Sequence, residues 1–269
     1  MSQSLVILGA GYTAHFILPL ASSRYDIVVS TSRDPGMHLA DVPADRRLEF
    51  DLSEPATWHT IPSETDLLWC FPAQPLEAVR HFAATADLAS RKVVVLGSTS
   101  AYDVATQAVD YPPPWIDETA PIDISKLRVQ GEEFLQKECG AIVLRVAGIY
   151  GPGRNPLDWI KSGRVDSSPK YVNLIHVEDL ATVCLAALER GRSGEVYNIS
   201  DGTPRTWTEI CRGAQDRWGI HAAAQREDEV PAGKRITNGK LLALLQSGQQ
   251  DLRYSDLWSA LAQLAATTS

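Results

Sequence analysis

The residues with the clearest chemical purpose are Gly9-Ala10-Gly11-Tyr12-Thr13-Ala14, directly after the apolar run Leu5–Leu8. Glycine at the first position permits a tight turn. Glycine at the third lets the backbone approach a pyrophosphate, and alanine at the sixth lets a following helix pack closely on the strand. The backbone N–H groups of Tyr12, Thr13 and Ala14 would then face phosphates at a helix N-terminus. The reading is a dinucleotide loop; the alternative is a glycine turn with no ligand. The next strand indicates which dinucleotide. Ile27–Ser30 runs on through Thr31 and Ser32 to Arg33, with no carboxylate to accept from a ribose 2′-hydroxyl. A guanidinium at Arg33 can pair with a 2′-phosphate through charge-assisted hydrogen bonds. The cofactor expected is therefore NADP, with NAD as the alternative because Asp34 lies next door. Arg33 as a solvated loop charge is the competing reading.

These residues need a scaffold, and the rest of the chain has the pattern of one. Short apolar runs at Leu5–Leu8, Ile27–Ser30, Leu67–Phe71, Val93–Leu96 and Ala141–Leu144 read as strands buried on both faces. Stretches such as Leu76–Ala89 and Lys126–Glu138 are long enough for crossover helices. Alternating strands and helices predict an α/β fold: a Rossmann doubly wound parallel sheet with helices on both faces. Pro19 lies inside the first expected helix. After Tyr150 the turn cluster Gly151-Pro152-Gly153-Arg154-Asn155-Pro156 opens a different texture. There the pattern predicts a strand at Tyr171–His176, a helix at Asp179–Arg190 and a strand at Glu195–Ile199. A helix at Trp207–Trp218, the segment Val230–Thr237 and a helix near Ser255–Ala265 follow. The expected organisation is an NAD(P)-binding domain over residues 1–150 and a smaller substrate lobe over 151–269, part of which returns to the core sheet.

With 269 residues, 44% hydrophobic and 22% charged, the chain has the composition of a globular protein. The formal net charge of −8 argues against nucleic acid or an anionic membrane as partner, while leaving room for one anionic ligand in a local basic pocket. No apolar run approaches a membrane span, and no signal peptide is visible, so the expected location is cytoplasmic. Cys70, Cys139, Cys184 and Cys211 form no CxxC pair and read as reduced packing residues. The histidines make no ligand-spaced cluster, so no metal site is expected. The partner expected is a small-molecule substrate, and the chain is expected to be a monomer or homodimer.

Several segments resemble, in order, the extended short-chain dehydrogenases/reductases. Gly97-Ser98-Thr99-Ser100-Ala101-Tyr102 resembles their SSxxVYG segment, and Glu118-Thr119-Ala120-Pro121 their ETxP stretch. Ser125-Lys126-Leu127 with Glu132-Glu133 resembles the helix that carries the YxxxK element. Leu144-Arg145 followed by Ile149–Arg154, Ile175–Leu180, and Tyr197-Asn198-Ile199 resemble the later LR…YGPG, IHVDDL and YNV blocks. The nearest likeness is to atypical NAD(P)-dependent epimerase/dehydratase-like members, including the bacterial YeeZ type. The resemblance implies a Rossmann core with a C-terminal substrate lobe. It implies Ser98 as the group polarising the substrate oxygen and Lys126 as the ligand of the nicotinamide ribose. It also implies Asp51-Leu52 beside adenine, with a strand-end cap as the alternative, and Phe71-Pro72 where the chain passes the dinucleotide, with packing alone as the alternative for Phe71.

One family feature is missing. The resemblance implies a tyrosine four residues before the lysine as general acid/base, on the same helix face; here that position is Ile122. Asp123 reads as a substitute acid or, better, as a helix cap. Tyr102 and Tyr150 stand at family structural positions and read as residues packed near the pocket, with a substitute acid as the alternative for each, and Ser100 stands where some dehydratases carry Glu. His176 with Glu178-Asp179 reads as an acid/base group or as a brace at the lobe junction. Trp115, after three prolines, is a flap or a buried anchor. Two functions stay open: an NADP(H)-dependent oxidoreductase or epimerase/dehydratase-like enzyme on a small alcohol, carbonyl or sugar-type substrate, or a catalytically weak or inactive NADP-binding sensor.

Overall fold

The structure, a computed structural model, describes residues 3–104, 110–224 and 233–267. The first half runs β1 (Ser4–Leu8), α1 (Tyr12–Ser22), β2 (Ile27–Ser32), α2 (Pro35–His38), β3 (Arg47–Glu49), β4 (Asp66–Trp69), α3 (Leu76–Thr85), β5 (Val93–Ser98), β6 (Trp115–Ile116), α4 (Leu127–Cys139), β7 (Ile142–Val146) and β8 (Gly148–Tyr150). The second half runs α5 (Pro156–Lys161), β9 (Tyr171–Val172), β10 (Leu174–His176), α6 (Val177–Arg190), β11 (Val196–Ile199), β12 (Arg205–Thr206), α7 (Trp207–Trp218), β13 (Arg235–Ile236), α8 (Gly239–Gln246) and α9 (Leu257–Thr267).

Seven strands form one parallel sheet in the order β11-β7-β5-β4-β1-β2-β3. The continuous apolar runs require cover on both faces, because successive side chains point to opposite sides. Leu5 and Ile7 pack with α1, α6 and α8 through Ile17, Leu180 and Leu241. Val6 and Leu8 pack the other way, with α3 and α4 through Val79, Phe82 and Leu135. This is the doubly wound Rossmann-like architecture the sequence predicts. Beyond Tyr150 the chain supplies α6, β11 and α8 to the sheet. A third apolar cluster around Tyr150, Leu157, Ile210, Leu257 and Leu261 holds α5, α7 and α9.

Three details differ from the sequence expectation. The run Tyr171–His176 is two strands, not one. β9 pairs antiparallel with β12, while β10 pairs parallel with β8. Asn173 divides them, its side chain donating to the Lys234 carbonyl at 2.8 Å and accepting from the Ile236 N–H at 2.9 Å. α6 begins at Val177, ahead of Asp179, because His176 Nδ1 accepts the Glu178 N–H at 3.3 Å and caps it. In the expected Val230–Thr237 segment the strand is Arg235–Ile236, and residues 230–232 lie outside the described ones.

The His176 segment is a brace. Its ring is 1% exposed and stacks on Tyr254, with centroids 3.7 Å apart. Asp179 accepts the N–H groups of Arg253 at 2.8 Å and Tyr254 at 2.9 Å, so α6 grips the chain just before α9. Burial holds the imidazole pKa down to about 4, against 6.5 in the open. The folded state then keeps His176 neutral where the unfolded chain takes up a proton. Its contribution is therefore complete above pH 6.5 and lost as pH falls through 4. His176→Asn keeps a capping acceptor but does not titrate. In urea unfolding, the parent is expected to lose roughly 3 kcal/mol more than this variant over that acid range. Parallel losses would acquit His176.

α4 approaches the loop after β4 so closely that a Cβ on Gly131 would lie 1.9 Å from the Ala73 carbonyl oxygen. Alanine in place of a helix-interior glycine normally stabilises by roughly 1 kcal/mol. Here the clash with backbone outweighs it. Gly131→Ala is expected to lower stability by about 2 kcal/mol, within the range for overpacked sites. A raised Tm would show that the loop yields freely.

Candidate functional site

A groove of about 450 Å³ opens at the carboxyl ends of β1, β2 and β4, lined by Gly9, Ala10, Ser32, Arg33, Phe50, Asp51, Leu52 and Phe71. Carboxyl ends of parallel strands are where ligands of such sheets lie. Gly9 has φ +97°, a region side chains disfavour, and its N–H donates to Thr31 Oγ1 at 3.1 Å. Gly11 precedes α1 in extended conformation, and a Cβ there would meet nothing within 4 Å. The space beside it is open. α1 has no side-chain cap and no acid in its first turn, and its first backbone bond runs from His15 to Gly11. The donors of Tyr12, Thr13 and Ala14 are thus left for an anion.

At the far end of the groove Ser32 Oγ and His38 Nδ1 share a hydrogen bond of 2.7 Å, and Arg33 stands beside them. Asp51 accepts from the Ser53 hydroxyl at 2.7 Å and the Ser53 N–H at 2.9 Å. Those bonds, and after them the charge of Arg33, hold its carboxyl below the usual range. Asp51 therefore both lines the groove and closes the turn behind the strand.

Sequence reasoning missed His38, Phe50, Ser53, Gln74 and Pro75 in this lining. For His38 the Asp34-Pro35 start of a short helix was a usable signal. Other residues from the sequence reading lie elsewhere. Pro72 is exposed and outside the lining, and the Thr13 and Ala14 side chains are buried. The Tyr12 hydroxyl donates to the Pro152 carbonyl at 3.0 Å, and its ring carries the Arg154 guanidinium at 4.2 Å.

Ser98 and Lys126 are joined through one turn at the end of β5. Ser98 Oγ accepts the Ser100 N–H at 3.1 Å, and Lys126 Nζ donates to the Ser100 carbonyl at 2.6 Å. Lys126 also reaches Asp103 at 2.8 Å, whose other oxygen accepts from Lys234. Partial burial pushes the Asp103 carboxyl up, but bonds from the two lysines outweigh it and hold it low.

The expected helix from Lys126 starts instead at Leu127, and Asp123 is not its cap. The Asp123 carboxylate accepts the Ser125 N–H and hydroxyl, which competes with helix formation over 123–126. Ile122 and Lys126 therefore share no helix face.

Both substitute phenols are buried, although Tyr102, 3% exposed, also lines the second cavity described below. The Tyr102 hydroxyl donates to Asn198 at 2.7 Å and accepts from Arg145 at 3.1 Å. The Tyr150 hydroxyl is fully buried with no hydrogen-bond partner among the described residues. Burial pushes both pKa values up. Trp115 is half exposed, with Arg235 over its ring at 5.0 Å, so it is not a buried anchor.

Beyond this turn lies a second cavity of about 580 Å³, lined by Thr99, Asp103, Trp159, Lys170, Tyr171, Trp207 and Lys234 among others. Among the described residues no group of three or more His, Cys, Asp or Glu could hold a metal ion, and no helix is long and apolar enough to cross a membrane. The four cysteines are unpaired.

No family model matches the sequence. Protein YeeZ of Escherichia coli (strain K12) is 30% identical over 128 residues, which are 46% of this chain and 45% of that relative, so the match spans less than half of either protein. Two solved structures superpose over nearly the whole length. One is a conserved protein of unknown function from Silicibacter pomeroyi, with TM-score 0.75, 26% identity and 100% of both chains covered. The other is a candidate NAD-dependent epimerase/dehydratase from Methylobacillus flagellatus, with TM-score 0.75, 25% identity and 99% and 98% covered. MoeE5, solved with UDP-glucose and NAD, shares the fold at TM-score 0.71 and 17% identity, with 99% and 98% covered. The structural neighbours are thus NAD-dependent epimerase/dehydratase-like proteins.

Proposed function

We propose that this protein is an NADP(H)-dependent oxidoreductase or epimerase/dehydratase-like enzyme acting on a small alcohol, carbonyl or sugar-type substrate. The open groove carries the reading: Gly9, Ala10 and Arg33 line it, and the chain runs from Ala10 through Gly11, with open space beside it, directly into the bare N-terminus of α1. The neighbours support an NAD(P)-dependent activity in general terms. In this reading the Gly9–Gly11 loop and the N–H groups of Tyr12, Thr13 and Ala14 hold the pyrophosphate. Ser32, Arg33 and His38 take the 2′-phosphate. Phe50, Asp51, Leu52 and Phe71 flank the adenosine.

Lys126 has three N–H donors and spends two on Ser100 and Asp103, which leaves one for the nicotinamide ribose. Ser98 accepts from the Ser100 N–H, so its own hydroxyl hydrogen is left to polarise a substrate oxygen. The nicotinamide, when bound, supplies or takes up a hydride. The proton on the substrate oxygen comes from water or from an acid other than a phenol, because Ile122 stands at the tyrosine position.

The burial of Tyr102 and Tyr150 favours a second reading, an NADP-binding sensor with little or no catalysis. NADPH oxidation across a panel of carbonyl compounds, beside NADPH binding by fluorescence, separates the two. Turnover supports the enzyme, and tight binding without turnover supports the sensor.

Arg33→Ala is expected to weaken NADPH binding by roughly 1.5–3 kcal/mol and to spare NADH, as for a charge-assisted hydrogen bond. Equal losses for both cofactors would remove Arg33 from the phosphate site. Gly11→Val is expected to abolish binding of both cofactors with an unchanged circular dichroism spectrum, since the new side chain enters only the open space. Unaltered affinity would mean that the pyrophosphate lies elsewhere.

A further inference from the structure

The 580 Å³ cavity has an uneven chemistry that the proposed activity leaves unexplained. Its core side is the turn after β5, with Thr99 and the Asp103 carboxylate shared between Lys126 and Lys234. Of the two lysines that share this carboxylate, Lys234 lines the cavity, so the unpaired charge of the lining is the one on the cavity's other side.

The lobe side holds Lys170, which is exposed and has no ion-pair partner among the described residues. Its carbonyl accepts the Trp207 N–H at 3.2 Å, which fixes the backbone of Lys170 at the start of α7. Around it the walls are largely aromatic, and the Trp159 ring carries the Arg164 guanidinium at 5.5 Å. Trp159 and Trp207 meet edge to face with ring centroids 6.4 Å apart, and Tyr171 packs against Tyr111 at 5.8 Å. Asp103 is the one acidic residue in the described lining, and it is already paired.

A cavity of this volume is in the range of small-molecule sites, which are mostly apolar with a few placed charges. Cations beside indole and phenol faces select a ligand that is both flat and negatively charged. We propose that the substrate is a carbonyl or alcohol compound with a planar unsaturated body, which lies against the Trp159 and Trp207 pair, and an anionic group, carboxylate or phosphate, which Lys170 anchors beside it. This rests on reading the cavity as the substrate site of the activity proposed above. The reacting oxygen then lies toward Ser98 and Thr99, and the anion at the opposite, lobe side.

The test uses the full-length protein and three probes of matched size: benzoate, phenyl phosphate and benzyl alcohol. Binding is read by ligand-observed NMR titration, which needs no turnover, and NADPH affinity is read in parallel by fluorescence. At least one anion is expected to bind about tenfold more tightly than the alcohol, as one charge-assisted contact in a half-open site allows. Benzoate against phenyl phosphate identifies which anion the site takes. Lys170→Gln should erase that preference, Lys170→Arg should keep it, and NADPH affinity should stay level in both. Equal binding of all three probes, binding of none, or a preference that survives Lys170→Gln would overturn the proposal. If the anion preference stands while NADPH does not bind, the cofactor reading falls and the anion site remains.

Discussion

A guanidinium buried near the end of β7 needs partners where it lies, and much of the site is arranged around the ones its terminal nitrogens find, while its Nε has none among the described residues. Arg145 is 3% exposed. It donates to the Tyr102 hydroxyl and to Glu133 on α4, and Tyr102 passes the chain of bonds to Asn198 on β11. The Asn198 N–H is in turn held by Glu118 at 2.8 Å. An unpaired charge at such depth costs several kcal/mol, so each partner is fixed in place. The turn from Ser98 to Tyr102 is bound into this network at its last residue. Ser98, Ser100 and, through them, Lys126 are tied to a charge that lines neither the groove nor the second cavity.

The groove and the second cavity share no lining residue, but they open off neighbouring strands: Phe71 after β4 lines the groove, and Thr99 after β5 lines the cavity. The local electrostatics also run against the chain as a whole. The formal net charge is −8, yet the described cavity lining holds two lysines and a single paired aspartate. Overall charge governs solubility and long-range encounter, whereas recognition at a site depends on the few groups that line it.

What the sequence reveals of this follows from the range over which each signal acts. Apolar runs at Leu5–Leu8 and Val93–Leu96 report burial on both faces, and that is enough to give the sheet and its two helical layers. The glycine turn between β1 and α1 is equally plain, because it is written in contiguous residues. Arg33 and Asp51 sit at strand ends and were legible for the same reason. Asp103, Lys170 and Lys234 were not, since their meeting depends on how distant parts of the chain return to β5. The misplaced start of α4 has a local cause: Asp123 bonds Ser125 and holds the backbone out of the helix. Likewise, the side chain of Asn173 divides a run that reads as one continuous strand.

The return of β11 to the edge of the sheet has a consequence for how such a protein can change over generations. β11 supplies the strand beside β7 and also Asn198, while α6 covers the inner face; all three come after the Gly151–Arg154 turn. A break at that turn would leave β7 with a bare, apolar edge of the kind that invites aggregation. It would also strip a partner from the buried phenol. The elements around the second cavity are therefore no exchangeable cassette: substitutions and loop insertions there leave the interleaved chain path intact, whereas exchange of the whole segment would break it.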